Sequence, residues 1–495
     1  MVSWWFAAVS DNPTLIFVAL IIFAFVISRL LHRYAERVAL VSGIEYAVVG
    51  VVIGPLMPWS LITEETLQSL DLLVTLLLGL LGFMVGLRAR EALGRFEDFL
   101  AGSVAALLVA LTVGLVSLGL LQWVQPSYLQ DPSPLVEIPV WTDGTRLYEL
   151  WASKDALWLA LTLGAAAAIA SSTGIEAAAE RWRAEGPSIN LLRDMASAGQ
   201  VFAILLFGLA LAGDQAVETA GGYGLSLVEW ALLTGAAGAI TGLLFTIFIG
   251  GAEDDLRLYL ATIGVVIFAA GIGAALGVSP LFVNLIAGLT VAATSAHGNR
   301  LRDNLGNLRR PVSVLILVFA GIAWRPVTGW LWLIPAAYLV TRVGTRLLAS
   351  RFAVSTFVHG VEFRRVGGGL IGQGSLAAAV ALSYAQGHPD RGYIVLTAVL
   401  VPMVITDFFA MRALRRVLAN AGAIRPRAVK RAGTDDDILV EAVSAADIEA
   451  KPELGAKATP EAKAALKAKA ALKAKAVLKA KAVPEAKPAT EEAKP

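Results

Sequence analysis

Three apolar stretches of this chain carry polar residues where a run of Leu or Val would be ordinary. The stretch "AAAAIASSTGIEAAAERW" holds Ser171, Ser172 and Thr173, with Glu176 four residues after Ser172. "VGGGLIGQGSLAAAVAL" holds Gln373 and Ser375 among glycines. "LLRDMASAGQVFAILLFGLAL", residues 191–211, has Asp194 at one end and the pair Gly199-Gln200 further in. Hydroxyl and amide oxygens can replace the water around a small ion. Gly-rich stretches can also unwind, so that backbone carbonyls join them. The same small residues equally suit close helix packing, and both readings stay open. Gln200 offers a carbonyl oxygen but no titratable proton. Glu176 can bind a cation when ionised and hold a proton when neutral. If the helix breaks near Ser172-Thr173, Glu176 starts the next half-helix on the side of Ser172. Otherwise it lies at the membrane surface with Glu180 and Arg181. Arg342 is the deepest basic residue. Either its long side chain snorkels to the surface or it balances charge at a central site.

Other chemistries find no footing. The chain has no cysteine, so disulfides, thiolate metal sites and cysteine nucleophiles are excluded. Its four histidines, His32, His297, His359 and His388, are scattered and make no metal-ligand spacing. No nucleophile–base pair or phosphate-binding loop is present, so neither an enzyme nor an ATP, redox or metal cofactor is expected. Glu45, Asp71 and Glu229 fall within the first residues of apolar stretches and read as interfacial. Asp407 lies deeper and is expected to form an ion pair with Arg412, about one turn away.

The elements that must position these residues are membrane helices. Of 495 residues, 57% are hydrophobic and 16% charged, far from a soluble composition. A spanning helix needs about 20 apolar residues. Thirteen such spans are expected, near 12–31, 40–58, 67–87, 99–124, 156–180, 189–212, 226–249, 256–276, 279–296, 309–324, 328–349, 364–385 and 391–413. Loops rich in Arg alternate with loops poor in it, the seventh (Arg257 against Glu253, Asp254 and Asp255) being the poor fit. The alternation places the N-terminus outside and the C-terminus in the cytoplasm. Arg88, Arg309 and Arg346 count among the cytoplasmic loop charges. Most tryptophans, Trp123 and Trp330 among them, fall at the outer ends. No basic region precedes the first apolar stretch, so no cleavable signal peptide is expected.

Two domains follow: a membrane domain over 1–416, and an Ala/Lys-rich tail over 417–495 with "ALKAKA"-type repeats. The six-residue period fits no coiled coil, so the tail is expected to be disordered. A second reading has its lysines held to anionic lipid at about 1 kcal/mol each.

Several stretches in this order resemble the monovalent cation:proton antiporter superfamily, above all the branch of the bacterial potassium-efflux antiporters. They are "GIEYAVVGVVIGP" (43–55), "LLLGLLGFMVGLRAR", "LALTLGAAAAIASSTGIE", "SPLFVNLIAGLTVA" and "GGLIGQGSLAAAVAL". The resemblance covers about residues 15–415. It implies an all-α membrane fold with two broken helices crossing in a core bundle. It also implies a second bundle for dimerisation, a homodimer in the inner membrane, and exchange of a monovalent cation (sodium or potassium) for protons. Nucleic acid is not an expected partner. The family's acidic pair aligns with Gly199-Gln200, whereas its basic residue aligns with Arg342. The resemblance therefore implies Ser172, Thr173, Gln200, Gln373 and Ser375 as ion-binding oxygens and Arg342 as charge balance, while Glu176 must replace the lost proton carrier. The alternatives are an ion uniporter, channel or anion pathway, or a membrane scaffold or sensor without transport.

Overall fold

The computed structural model describes residues 43–54, 70–124, 136–139, 146–150, 154–219, 224–249, 255–295, 298–359 and 366–424. All of them belong to one compact unit, Met1–Arg425. The first expected span, 12–31, and the tail from 425 onward lie outside the described residues.

Helices α1 (Ile44–Ile53), α2 (Asp71–Leu93) and α3 (Phe96–Val124) lead into a short hairpin of β1 (Val136–Pro139) and β2 (Arg146–Leu150). The strands are antiparallel, with Val136 opposite Leu150 and Ile138 opposite Leu147. Then come α4 (Lys154–Ala168), α5 (Ser172–Trp182), α6 (Pro187–Thr219), α7 (Leu227–Ile249), α8 (Asp255–Ala275) and α9 (Pro280–Thr294). The last are α10 (Gly298–Gly306), α11 (Arg309–Ile322), α12 (Leu333–Phe357), α13 (Ser375–Gly387) and α14 (Gly392–Asn420), with a 3-10 turn at Val366–Leu370 before α13.

Among the described residues, seven helices are long and apolar enough to cross a membrane, or eight if α10 and α11, bent by 51°, count as one. That falls short of thirteen for identifiable reasons. Helices α1 and α9 are apolar but short. The eleventh expected span, α12, carries Arg342, Arg346 and Arg351. The twelfth is interrupted before Ser375.

Within lipid, helices gain little from burying apolar surface and associate through close contact of small residues. Gly79, Gly82 and Gly86 on α2 lie against Asn284, Leu281 and Leu285 on α9, and Gly288 returns the contact against Phe83. Gly50 on α1 and Gly321 on α11 form a second seam of this kind. Helices α3 and α12 also pack together. The exposed rings of Trp123 and Trp330 meet edge to face, 6.4 Å between centroids. Helix α7 starts on a capping box: Ser226 N–H donates to Glu229 Oε2 at 2.8 Å, and Glu229 N–H to Ser226 Oγ at 3.4 Å.

Candidate functional site

The fifth span breaks at 169–171 for a local reason. Ser171 takes an extended backbone (φ −76°, ψ 99°), and its hydroxyl accepts the amide of Gly174 at 3.0 Å. It is thus an N-cap, and it restarts the helix as α5. The twelfth span unwinds over 371–374 among its glycines, and α13 restarts after Gly374. The two interruptions touch: Ser171 N–H donates to the Gly372 carbonyl at 2.9 Å. The two interrupted helices thus meet at their breaks, where the family resemblance implied a crossing.

Ending α4 at Ala168 leaves its last carbonyls without intrahelical partners. Buried side chains supply them. Arg342 donates to the carbonyls of Ala167 (3.2 Å), Ile169 (3.0 Å) and, across the crossing, Ile371 (2.7 Å). Arg346 donates to Ala167 (2.9 Å) and Ala168 (2.7 Å). Gln200 on α6 donates to the Ala170 carbonyl at 3.0 Å and to Ser172 Oγ at 2.8 Å. Gln373 donates to Tyr338 Oη at 2.7 Å and to the Ala166 carbonyl at 3.4 Å. Arg342 and Arg346 are 0% and 2% exposed. Two guanidinium groups therefore sit at the negative end of the α4 dipole, a position that would otherwise attract a mobile cation.

On the other side of Ser172 lies a cleft whose lining includes Arg88, Ser172, Thr173, Gln200, Arg309 and Ser375. Arg309 donates to Ser172 Oγ. Ser375 Oγ bonds Ser313 Oγ at 2.9 Å. Glu176 is held between Arg88 (2.7 Å) and Arg309 (2.8 Å). Its side chain is 35% exposed. Among the described residues no group of three or more His, Cys, Asp or Glu gathers as for a metal ion.

Solved structures share this architecture. A structure of the sodium proton antiporter MjNhaP1 from Methanocaldococcus jannaschii at pH 8 superposes with a TM-score of 0.54 at 14% identity, over 83% of this chain and 96% of that one. An electron-microscopy structure of the same antiporter gives 0.55 at 15% identity, over 83% and 99%. The chain has a sodium/proton-antiporter fold. No protein-family model matches it, and no curated protein does.

Within this antiporter fold, four of the five oxygen-bearing residues picked from sequence, Ser172, Thr173, Gln200 and Ser375, line one cleft. Gln373 lies apart, beside Tyr338. Among the described residues its Oε1 is a buried acceptor with no hydrogen-bond partner. Arg342 does not snorkel: its guanidinium is turned into the crossing. Several groups were misread or missed. Arg346 is no loop charge but a buried residue of α12, one turn after Arg342. The i, i+4 spacing of the two arginines was the signal available. Arg88 and Arg309, counted as loop charges, close on Glu176. Asp194 forms a two-pronged pair with Arg95, one prong at 2.9 Å, and so braces α6 against the start of α3. Asp407 and Arg412 lie on different faces of α14. Five residues apart on a helix is about 140° of rotation, so Arg412 is exposed while Asp407 is 4% exposed.

Proposed function

We propose that the chain is a secondary transporter that exchanges a monovalent cation, sodium or potassium, for protons across the inner membrane. The observation that carries this reading is the meeting of two interrupted helices at Ser171 and Gly372, with Ser172, Thr173, Gln200 and Ser375 lining the cleft beside it and Gln373 set apart against Tyr338. Support comes from the likeness to a protein named a sodium proton antiporter. The potassium-efflux branch is the finer assignment that the sequence stretches favour. In this reading Arg342 balances charge at the crossing, and Arg309 must leave Ser172 before a cation binds there. The N-terminus is outside and the tail cytoplasmic. A homodimer belongs to the same reading.

The proton cannot ride on Gln200. Glu176 is the carrier that the sequence reading names, and its two ion pairs must open before it can serve. The test is full-length protein in liposomes carrying a pH-sensitive dye and an imposed proton gradient. A pulse of sodium or potassium chloride is expected to collapse the gradient in the parent and not in empty liposomes. Glu176→Gln separates two roles. Lost proton movement with retained cation binding assigns the proton to Glu176, whereas an altered rate with intact coupling assigns it to closure of the cleft. A correctly folded parent that moves no protons with either salt would overturn the exchange reading.

A further inference from the structure

The cleft beside Ser172 is furnished mainly with hydrogen-bond donors. Arg88 comes from α2 and Arg309 from the start of α11, and both line it. A guanidinium carries five N–H donors. Among the described residues, Arg88 places one donor on Glu176, while Arg309 places one on Glu176 and one on Ser172 Oγ. The other donors of the two arginines have no protein acceptor there, and their nitrogens are not sealed in protein. Ser172 is 7% exposed. Its oxygen accepts from Gln200 Nε2 at 2.8 Å and from Arg309. Those two bonds take both lone pairs of the hydroxyl, so Ser172 has only its own proton left for a ligand. The Gln200 amide cannot be reversed, because its second bond runs to the Ala170 carbonyl, which only accepts.

Charge points the same way. Two guanidinium charges meet one carboxylate, Glu176, which leaves one positive charge in excess. Two helix starts add to it. Ser172 and Thr173 of α5 and Ser375 and Leu376 of α13 line the cleft, and Gly374 gives α13 no side-chain cap. Helix starts carry partial positive charge, which favours an anion. Leu81, Met84 and Val85 of α2 form an apolar wall, where opposite charges attract more strongly than in water. The space is small. Its volume of about 20 Å³ admits one particle of water size or slightly larger.

We propose that this cleft is a binding site for one small monovalent anion of the halide class, such as chloride. The spare N–H donors of Arg88 and Arg309 and the hydroxyl proton of Ser172 hold it. One such anion cancels the excess charge and matches the space. The site goes beyond the exchange reading, since it belongs to the arrangement with Arg309 on Ser172. In that arrangement Ser172 has no lone pair for a cation and one proton for an anion.

The experiment uses the full-length protein in detergent at fixed pH and ionic strength. Choline gluconate is replaced stepwise by choline chloride, choline bromide or choline sulfate. Thermal unfolding is the readout, because a ligand of the folded state raises the unfolding temperature with its concentration. Chloride and bromide are expected to raise it along a saturating curve, and sulfate is not. In Arg88→Gln and in Arg309→Gln the chloride concentration for half the effect is expected to rise about tenfold, whatever the variant's own stability. Arg310→Gln, at an exposed position outside the cleft lining, should keep the parent's curve. No saturating chloride response in the parent, a parent-like response in either cleft variant, or an equal rise with sulfate overturns the site. Should both cleft variants fail to run as single species on size exclusion, crystals of the parent grown in choline bromide decide. An anomalous bromide peak against the guanidinium groups of Arg88 and Arg309 is expected. Its absence, or peaks at exposed arginines alone (an adventitious ion only), overturns the site. These solutions hold neither sodium nor potassium, so either result leaves the exchange reading to the liposome assay.

Discussion

The amide of Ser171 and the carbonyl of Gly372, 2.9 Å apart, join two interrupted helices by their backbones. The break between α4 and α5 therefore meets the unwound stretch that leads into α13. Among the described residues, Arg342, Arg346, Gln200 and Gln373 donate to carbonyls at the break.

Arg342 and Arg346 hold the carbonyl end of α4 closed. Arg342→Met or Arg346→Met leaves buried carbonyls without donors, and the stability loss is expected to be about 2–4 kcal/mol for each. Arg342 bridges both interruptions, so its variant should be the worse. Thermal unfolding in detergent, followed by loss of the monodisperse peak, checks the order.

Ser171→Ala removes the hydroxyl that accepts the Gly174 amide. The expected loss is about 1 kcal/mol, the usual value of an N-cap. Ser171→Asp keeps an acceptor and should recover most of it in the same unfolding measurement.

The ion pairs of Glu176 are partly exposed, so solvent screens them. A double-mutant cycle of Glu176→Gln with Arg309→Gln should give a coupling of only about 1 kcal/mol in stability. A larger consequence is expected in access. Arg309→Gln frees Ser172 Oγ, and the cation concentration for half-maximal transport should fall in the liposome assay.

Gln200→Glu restores a titratable group beside Ser172 and Arg309. Transport in this variant is expected to become more steeply dependent on pH than in the parent. An unchanged pH profile would show that proton coupling at this position is closed off by the neighbouring arginines.

At Gly82 an added Cβ would collide with the Leu281 backbone carbonyl. Gly82→Leu is expected to abolish folding, read as loss of monodisperse protein. Gly235→Leu, at a position open to its surroundings, should express as the parent does.

Much was legible in the residues themselves. Runs of about 20 apolar residues with Arg-rich ends announce membrane helices, because lipid leaves backbone polar groups no other partner. The string Ala-Ser-Ser-Thr-Gly pointed to either a helix break or close packing, and the cap at Ser171 decided for the break. The same logic singled out Gln373, Ser375 and Gln200 as polar groups at odds with their surroundings. The tertiary structure decided what each of them meets. Whether Arg346 is a loop charge or a buried donor depends on how deep α12 sits. Whether Asp407 shares a face with Arg412 depends on the angle between residues around α14. Glu176 could be read as facing the centre or the surface until Arg88 and Arg309, 88 and 133 residues away in the chain, were seen to close on it. Local periodicity determines which residues belong in lipid and where a helix must end, but a charge finds its partner only through long-range packing.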